Sequence, residues 1–362
     1  MTIKSIKVNL KKNSYPIILD NAYNSSLPFF TKFVPEKKVF VISDDTVAKL
    51  YLKSFENFMK ENKFNLFSFV FSSGEKYKNL KTLEEIYNFA LSAGIDRQYT
   101  VIALGGGVVG DTAGFFAATY MRGLNFIQFP TTLLAMVDSS IGGKTGVNIK
   151  TGKNIAGAFY QPEFVFINTS FLKTLPGNHI KNGMAEVIKY AISFDEHFFN
   201  YLSNVLNKAV LSDENFYYII SKCCRYKAMV VAKDEKEKLG IREFLNFGHT
   251  FAHALETITG YKKYLHGQAV AAGMLFIADL AFNIKFIDDK TKQKIYKVID
   301  SAGFIKPKLN FSINNFFSLM KKDKKNISKK IKFVLPKKIG KVVSKQEVDD
   351  RIVLKTLKEF FK

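Results

Sequence analysis

Three of the chain's five histidines, His249, His253 and His266, fall in one short stretch. A helix beginning near Asn246, which can serve as N-cap, places Phe247, Phe251, Ala254 and Leu255 on one buried face. The same helix puts His249, His253 and Glu256 together on another. His-x-x-x-His on a helix is weak evidence by itself. The metalloprotease version carries a Glu directly after the first His as general base, whereas here Thr250 stands in that place. Two such histidines are more often ordinary polar residues. A third nearby shifts the balance toward a metal, because neutral imidazole is the commonest ligand of zinc-like ions and a catalytic site needs only three protein ligands. A carboxylate would complete the set. Glu186, in Asn182-Gly-Met-Ala-Glu186-Val-Ile-Lys189, is the best candidate, although Glu186 and Lys189 one turn apart would by themselves read as an exposed ion pair of little worth.

A second chemical feature is the glycine turn Leu104-Gly105-Gly106-Gly107-Val108-Val-Gly110-Asp111, which contains Gly-x-Gly-x-x-Gly between a strand and a helix. Glycines in such a turn let the backbone approach a diphosphate whose charge rests on the helix N-terminus. The pattern departs from the usual dinucleotide fingerprint, for it does not follow the first strand. The segment near Phe129-Pro130 also lacks the acid that would hold a ribose. Dinucleotide binding by an unconventional variant is preferred to a purely structural turn. In the next loop, Gly142-Gly143-Lys144-Thr145 resembles a P-loop, but Asp138 stands where the first glycine should be, and an ATPase reading is poor. The loop does offer Asp138, Lys144, Lys153 and Asn154 on a flexible segment, a set suited to a small anionic substrate.

These residues need a scaffold. The first half alternates short β-rich runs with amphipathic helices: strands at Lys38 to Ser43, Leu66 to Phe71, Thr100 to Leu104, Phe126 to Phe129 and Phe164 to Ile167, with helices over Val47 to Phe55, Leu83 to Leu91 and Asp111 to Tyr120. Such alternation implies a mostly parallel, Rossmann-like sheet covered on both faces. After Thr174-Leu-Pro176 the period becomes helical, with helices expected over Met184 to Ser193, Phe198 to Ala209, Asn215 to Val231, Phe247 to Thr259 and Gln268 to Phe282. A Lys-rich tail follows, with a strand at Lys332 to Pro336 and a last helix from Gln346 to Phe361. The expected organisation is an α/β nucleotide-binding domain over 1–176 and an all-α metal- and substrate-binding domain over 177–362.

Size and composition agree, since 362 residues suit two ordinary domains and 47% hydrophobic content supplies their cores. A net charge of +22 first suggests nucleic acid. The lysines are spread along the chain and accompany an excess of Phe, Ile and Asn, which reads as compositional bias, so no nucleic-acid partner is expected. Cys223 and Cys224 are sequence neighbours and make a poor bridge, which fits a reducing compartment. The start lacks a signal-peptide core, and no apolar run reaches the roughly 20 residues of a membrane span. A cytoplasmic location without membrane attachment is expected.

Taken jointly, the motifs resemble 3-dehydroquinate synthase, of the sugar phosphate cyclase superfamily. The resemblance is carried by the glycine turn through Asp111, Ala118-Thr-Tyr-Met-Arg122-Gly, Phe129-Pro-Thr131-Thr132-Leu-Leu-Ala, Val137-Asp-Ser-Ser-Ile-Gly-Gly-Lys144-Thr-Gly-Val-Asn and Gly152-Lys-Asn-Ile-Ala-Gly-Ala-Phe-Tyr-Gln-Pro162. It continues through Ala185-Glu-Val-Ile-Lys-Tyr190, Asn246-Phe-Gly-His-Thr-Phe-Ala-His253, His266-Gly-Gln-Ala-Val and Asp323-Lys-Lys. These pieces occur in order over most of the chain.

The resemblance implies that Glu186, His249 and His266 bind a divalent metal, zinc or possibly cobalt. It implies NAD contacts from Asp44, Glu75, Lys78, Gly106, Gly107, Val108, Asp111, Thr131 and Thr132, with Lys144 and Lys153 reaching cofactor as well as substrate. Substrate contacts would come from Arg122, Asp138, Lys144, Lys153, Asn154 and Lys189, then from Lys227, Arg242, Asn246, His253 and one lysine of Lys324-Lys325. Of these, His253, Asp138, Lys144, Asn154, Lys189, Arg242 and Asn246 are the expected catalytic group. The implied substrate is a sugar acid phosphate, 3-deoxy-arabino-heptulosonate 7-phosphate, and the family is usually homodimeric. Two departures stand out: the stretch from Lys227 to Arg242 is one residue longer than the usual pattern, and Gln268 replaces the Glu common after His-Gly. The rival readings are another sugar phosphate cyclase and a metal-dependent alcohol dehydrogenase of related fold.

Overall fold

The computed structural model describes residues 4–207, 210–308, 311–322 and 331–362. The chain divides into two compact units, Met1–Ile180 with Cys223–Lys236, and Lys181–Lys222 with Glu237–Lys362.

The first unit is built on a seven-stranded sheet. Its strands are β1 (Lys4–Val8), β2 (Tyr15–Asp20), β3 (Lys38–Asp44), β4 (Asn65–Phe71), β5 (Thr100–Gly105), β6 (Asn125–Pro130) and β9 (Phe164–Asn168), in the order β1-β2-β9-β6-β5-β3-β4. Only β1 with β2 is antiparallel, and every other pairing is parallel. The uninterrupted apolar runs follow from this, because a parallel sheet covered on both faces buries every residue of its central strands. All six residues of β5 are buried. The mostly parallel sheet inferred from strand and helix alternation is therefore the one observed. Its helices are α1 (Leu27–Phe33), α2 (Asp45–Val47), α3 (Lys53–Glu61), α4 (Leu80–Ser92) and α5 (Gly107–Thr119). Against one face, Phe40, Ile86, Val101, Ala113 and Phe116 form a continuous apolar cluster. Asn79 caps α4 by accepting from the Thr82 N–H at 2.9 Å.

The second unit is mainly helical. It contains most of α6 (Gly177–Phe194), then α7 (Glu196–Val205), most of the first half of α8 (Asp213–Lys233), α9 (His249–Ile258), α10 (His266–Asn283), α11 (Asp289–Ser301), α12 (Ile313–Lys322) and α13 (Asp350–Phe360). The hairpin of β10 (Lys332–Lys338) and β11 (Lys341–Glu347) adds the remaining structure. Helix α10, with Ala269 to Ala272, Phe276 and Leu280 buried, is the core of this unit and packs against α9, α11 and α13. Asp195, Asp288 and Asp349 each cap a helix through a side-chain oxygen.

Several local expectations are corrected. The segment expected to be a flexible loop from Lys144 to Asn154 is an antiparallel hairpin of β7 (Lys144–Ile149) and β8 (Gly152–Phe159). Helix α5 starts at Gly107, four residues before Asp111, because its glycines enter the first turn. Asn246 caps nothing: it ends a 3₁₀ turn, and α9 starts at His249 after Gly248 in the left-handed conformation. Gln346 lies in β11, and the last helix begins at Asp350. Strand β2, which the sequence reading did not include, pairs with β1 and β9. The expected end of the helix at Ala209 lies outside the described residues.

Candidate active site

The sheet order sets the nucleotide turn. The order of strand succession reverses at β3: β4 lies on one side of it, while β5, β6 and β9 lie on the other. Ligands of open α/β sheets bind beyond the carboxyl ends of the strands at such a switch point. The two strands meeting there are β3, ending in Asp44, and β5, ending in Gly105, paired through Ser43 and Leu104. Asp44 thus places a carboxylate on the strand adjacent to the turn. Asp44 Oδ1 accepts from the Val47 N–H at 2.9 Å, which fixes it, and burial raises its pKa.

The glycines of the turn are required by close approach. A Cβ on Gly105 would lie 2.5 Å from the Val109 side chain, and one on Gly106 or Gly107 would come within 3.0 Å of Thr132 Cγ2 or Ser139 Oγ. The Thr131 N–H donates to Gly105 O at 2.9 Å, drawing the Thr131-Thr132 corner against the turn. A bare backbone at the start of a thirteen-residue helix, with Val108 in its first turn, fits a diphosphate.

Beside it, Lys78 is buried and donates to Asp111 Oδ2 at 2.5 Å and to Asn154 Oδ1 at 2.6 Å. Burial raises the pKa of Asp111, and the Lys78 charge opposes that. Lys153 Nζ lies 3.8 Å from Glu75 Oε1. Two expected substrate residues far apart in sequence also meet in this unit, where Lys227 Nζ is 2.6 Å from Asp138 Oδ1. Lys144 is exposed on β7. Arg122 is exposed and held at φ +70, directly after Met121 at φ +49. Two successive left-handed residues that are not glycine cost of order 1–2 kcal/mol each, and strain of this kind concentrates at functional sites.

In the second unit, Glu186 comes from the middle of α6, His249 is the first residue of α9 and His266 the first of α10. One donor atom from each lies within 4.8 Å of the others, the metal-capable group of three found among the described residues. The Nε2 atoms of His249 and His266 stand 3.6 and 3.5 Å from Glu186 Oε1. Their other ring nitrogens are engaged: His249 Nδ1 lies 3.3 Å from Phe247 O, and His266 Nδ1 lies 3.4 Å from Glu256 Oε1. An acceptor at Nδ1 holds a ring proton there, so that each Nε2, once deprotonated, is the atom offered to an ion. One carboxylate and two imidazoles converging in this way fit a zinc-like divalent ion.

Approach of these α9 and α10 residues depends on a glycine contact. A Cβ on Gly273 of α10 would lie 2.0 Å from Gly248 O, and Gly248 itself has φ +83. The α10 start is fixed by Gln268, whose Oε1 accepts from the Leu265 N–H at 2.9 Å, and by Asn182 Oδ1, which accepts from the Gly267 N–H at 2.6 Å.

Electrostatically the two imidazoles differ. Burial and then the Lys189 charge hold His249 well below the usual histidine range. For His266 burial also acts downward, but hydrogen bonds and charges from Glu186 and Glu256 outweigh it and push it up to about 10. Lys189 and Glu186 pair with each other and both are buried, so the solvent-exposed pair suggested by their spacing alone is not what forms. His253 lies one turn beyond His249 with ring centroids 5.6 Å apart and stays outside the liganding group. Arg242 is buried in the 3₁₀ turn, with Nε 3.2 Å from Glu237 Oε1, and Asn246 at the end of that turn is exposed. Lys324 and Lys325 lie outside the described residues. The sequence reading put Glu256 on the face of His249 but gave it no role; its partner His266 belongs to a different helix.

The family description "3-dehydroquinate synthase N-terminal" matches residues 68–182, and "3-dehydroquinate synthase C-terminal" matches 183–326. The 3-dehydroquinate synthase of Endomicrobium trichonymphae is 53% identical over 358 residues, 99% of each chain. That of Caldanaerobacter subterraneus is 45% identical, over 97% of this chain and 99% of its own. Among solved structures, 2-deoxy-scyllo-inosose synthase in complex with carbaglucose-6-phosphate, NAD+ and Co2+ aligns with TM-score 0.87 at 25% identity, over 99% of this chain and 100% of its own. On family descriptions that together match residues 68–326, and on relatives matched over 99% of the chain, the chain belongs to the 3-dehydroquinate synthase family.

Proposed function

We propose that the chain is a 3-dehydroquinate synthase, a carbon–oxygen lyase that converts 3-deoxy-arabino-heptulosonate 7-phosphate to 3-dehydroquinate and inorganic phosphate in the shikimate pathway. The observation that carries the reading is the Glu186, His249 and His266 group in a chain 53% identical to a 3-dehydroquinate synthase. In this reaction a substrate alcohol is transiently oxidised, the ketone acidifies the adjacent C–H bond, phosphate is eliminated, the ketone is reduced again, the ring opens, and an aldol closure forms the carbocycle. When bound, NAD supplies a reversible hydride acceptor, and a divalent metal supplies Lewis acidity toward hydroxyl groups. The solved neighbour bound to NAD+ and Co2+ supports that pair of cofactors.

The chain's own residues divide the remaining work. Asp44, Glu75, Lys78, Asp111 and the backbone from Gly106 to Val108 hold the dinucleotide, with Thr131 and Thr132 closing on the turn. Glu186, His249 and His266 hold the metal. Arg122 and Arg242 offer bidentate partners for the carboxylate and phosphate of the substrate, and Lys144, Lys153 and Lys227 add positive charge. Asp138, Asn154, Lys189 and Asn246 orient its hydroxyls. His253, a liganding neighbour with no ligand role, moves the proton of the hydroxyl that is oxidised.

The test is incubation of the purified chain with the heptulosonate phosphate, catalytic NAD and zinc, following phosphate and dehydroquinate together. Equimolar products without net NADH are expected. Stoichiometric NADH without phosphate would refute the reading in favour of an alcohol dehydrogenase. Turnover confined to a sugar phosphate lacking the carboxylate would point to another cyclase of the superfamily. The reading includes a cytoplasmic homodimer: no described helix is long and apolar enough to cross a membrane, and light scattering should give twice the 41.1 kDa of one chain.

A further inference from the structure

Asn148, near the end of β7, is assigned no role by the family motifs, yet both ends of its side-chain amide are used. Its Nδ2 donates to Glu75 Oε1 at 2.9 Å, and its Oδ1 accepts from the Asn154 N–H at 2.9 Å. Its backbone N–H donates to Lys78 O, also at 2.9 Å, and the residue bridges to Asn79. Asn154 sits at φ +52, an uncommon conformation for a side-chain-bearing residue, which a hydrogen bond to its amide helps to hold. The same Asn154 accepts from Lys78 Nζ at 2.6 Å, and Lys78 in turn reaches Asp111. The turn carrying Glu75 and Lys78 and the hairpin carrying Lys153 and Asn154 are thus joined through one amide. Only a side chain with a donor and an acceptor on one planar group, at this length, makes both contacts.

We propose that Asn148 is a positioning residue that fixes Glu75 for the dinucleotide with its NH₂ group and Asn154 for the substrate with its carbonyl, so that the two binding functions share one support. The inference rests on the proposed function, which assigns Glu75 to NAD and Asn154 to substrate.

Two substitutions separate the halves of the amide. Asn148→Asp keeps an acceptor for the Asn154 N–H but sets a second carboxylate against Glu75. Asn148→Ala removes both contacts. The measurements are NAD affinity by calorimetry on the full-length protein, and KM for the heptulosonate phosphate from phosphate release at saturating NAD. For the Asp variant, NAD Kd should rise more than about tenfold while substrate KM stays within about twofold. For the Ala variant both constants should rise by about 3- to 10-fold, the loss of one hydrogen bond each. The idea is overturned if neither variant moves either constant, or if the Asp variant moves both in the same proportion. It is also overturned if both variants fail to fold, since the residue would then serve the scaffold alone. A wild-type protein that neither binds NAD nor releases phosphate would bring down the proposed function and this inference together; a competent wild type beside unresponsive variants brings down this inference alone.

Discussion

Gly273→Ala tests whether the crossing of α9 and α10 is what builds the liganding group. A Cβ there would stand 2.0 Å from Gly248 O, and real Cβ contacts essentially never fall below 3.0 Å, so the helices must separate by the difference, roughly 1 Å. Metal sites tolerate ligand displacements of about 0.2 Å. Because His249 opens one helix and His266 the other, the separation carries the two imidazoles apart by several times that tolerance. Overpacking of this kind costs about 1–3 kcal/mol. Alanine inside a helix is worth about 1 kcal/mol over glycine, so without the clash the variant would be the more stable protein. The sign of the change therefore decides. With the gain subtracted the net cost is up to about 2 kcal/mol, so the expected result is a Tm lower by up to about 8 °C, using about 2–4 °C per kcal/mol for a unit of this size, together with zinc content well below one per chain. Gly177→Ala, where nothing lies within 4 Å of the added Cβ, is the control and should be neutral or slightly stabilising. A Gly273→Ala protein with raised Tm and full zinc would refute the reasoning.

Four further outcomes follow from the same geometry. Glu186→Ala should purify without stoichiometric zinc by elemental analysis; full metal content would remove the residue from the liganding group. Glu256→Gln weakens the acceptor that orients His266, and loss of such an outer partner typically costs 10- to 100-fold in metal affinity, readable by competition with a chelator. His266, pushed up to about 10 in the metal-free protein, is protonated at neutral pH, and a metal must displace that proton. Zinc affinity should therefore rise with pH by roughly tenfold per unit between pH 6 and 9, and a flat chelator-buffered titration would contradict the assignment. His253→Ala should lower phosphate release by about 10² to 10⁴ with metal content intact, and near-normal release would remove its proton-transfer role.

Much of the fold was legible because parallel strands buried on both faces write themselves as apolar runs, as at Val39 to Ile42, and because the helical half has a clear period. Two of the boundaries that moved lie at glycines. Gly107 and Gly110 sit inside the start of α5 although glycine disfavours helix, and Gly248, rather than the polar Asn246, stands directly before α9. The β7 and β8 hairpin reads as a loop in sequence because its glycines and lysines dilute the alternation that marks strands. Rarity singled out the three clustered histidines, and the family resemblance is what separates His249 and His266 from His253 and adds Glu186. What was hidden depends on partners distant in sequence. The spacing of Glu186 and Lys189 is the same in an exposed pair and a buried one, and neither the meeting of Asp138 with Lys227 nor that of Glu256 with His266 has a local signature.

The placement of His249 and His266 at the first position of their helices has an electrostatic result. Helix N-termini carry partial positive charge and favour anions, so two such ends face the place where Nε2 atoms and carboxylate converge. Neutral imidazoles cannot offset that field, and the negative charge that holds a dication rests on Glu186, itself shared with Lys189. The helix starts therefore favour negative charge close to the three residues, which Glu186 alone among them supplies.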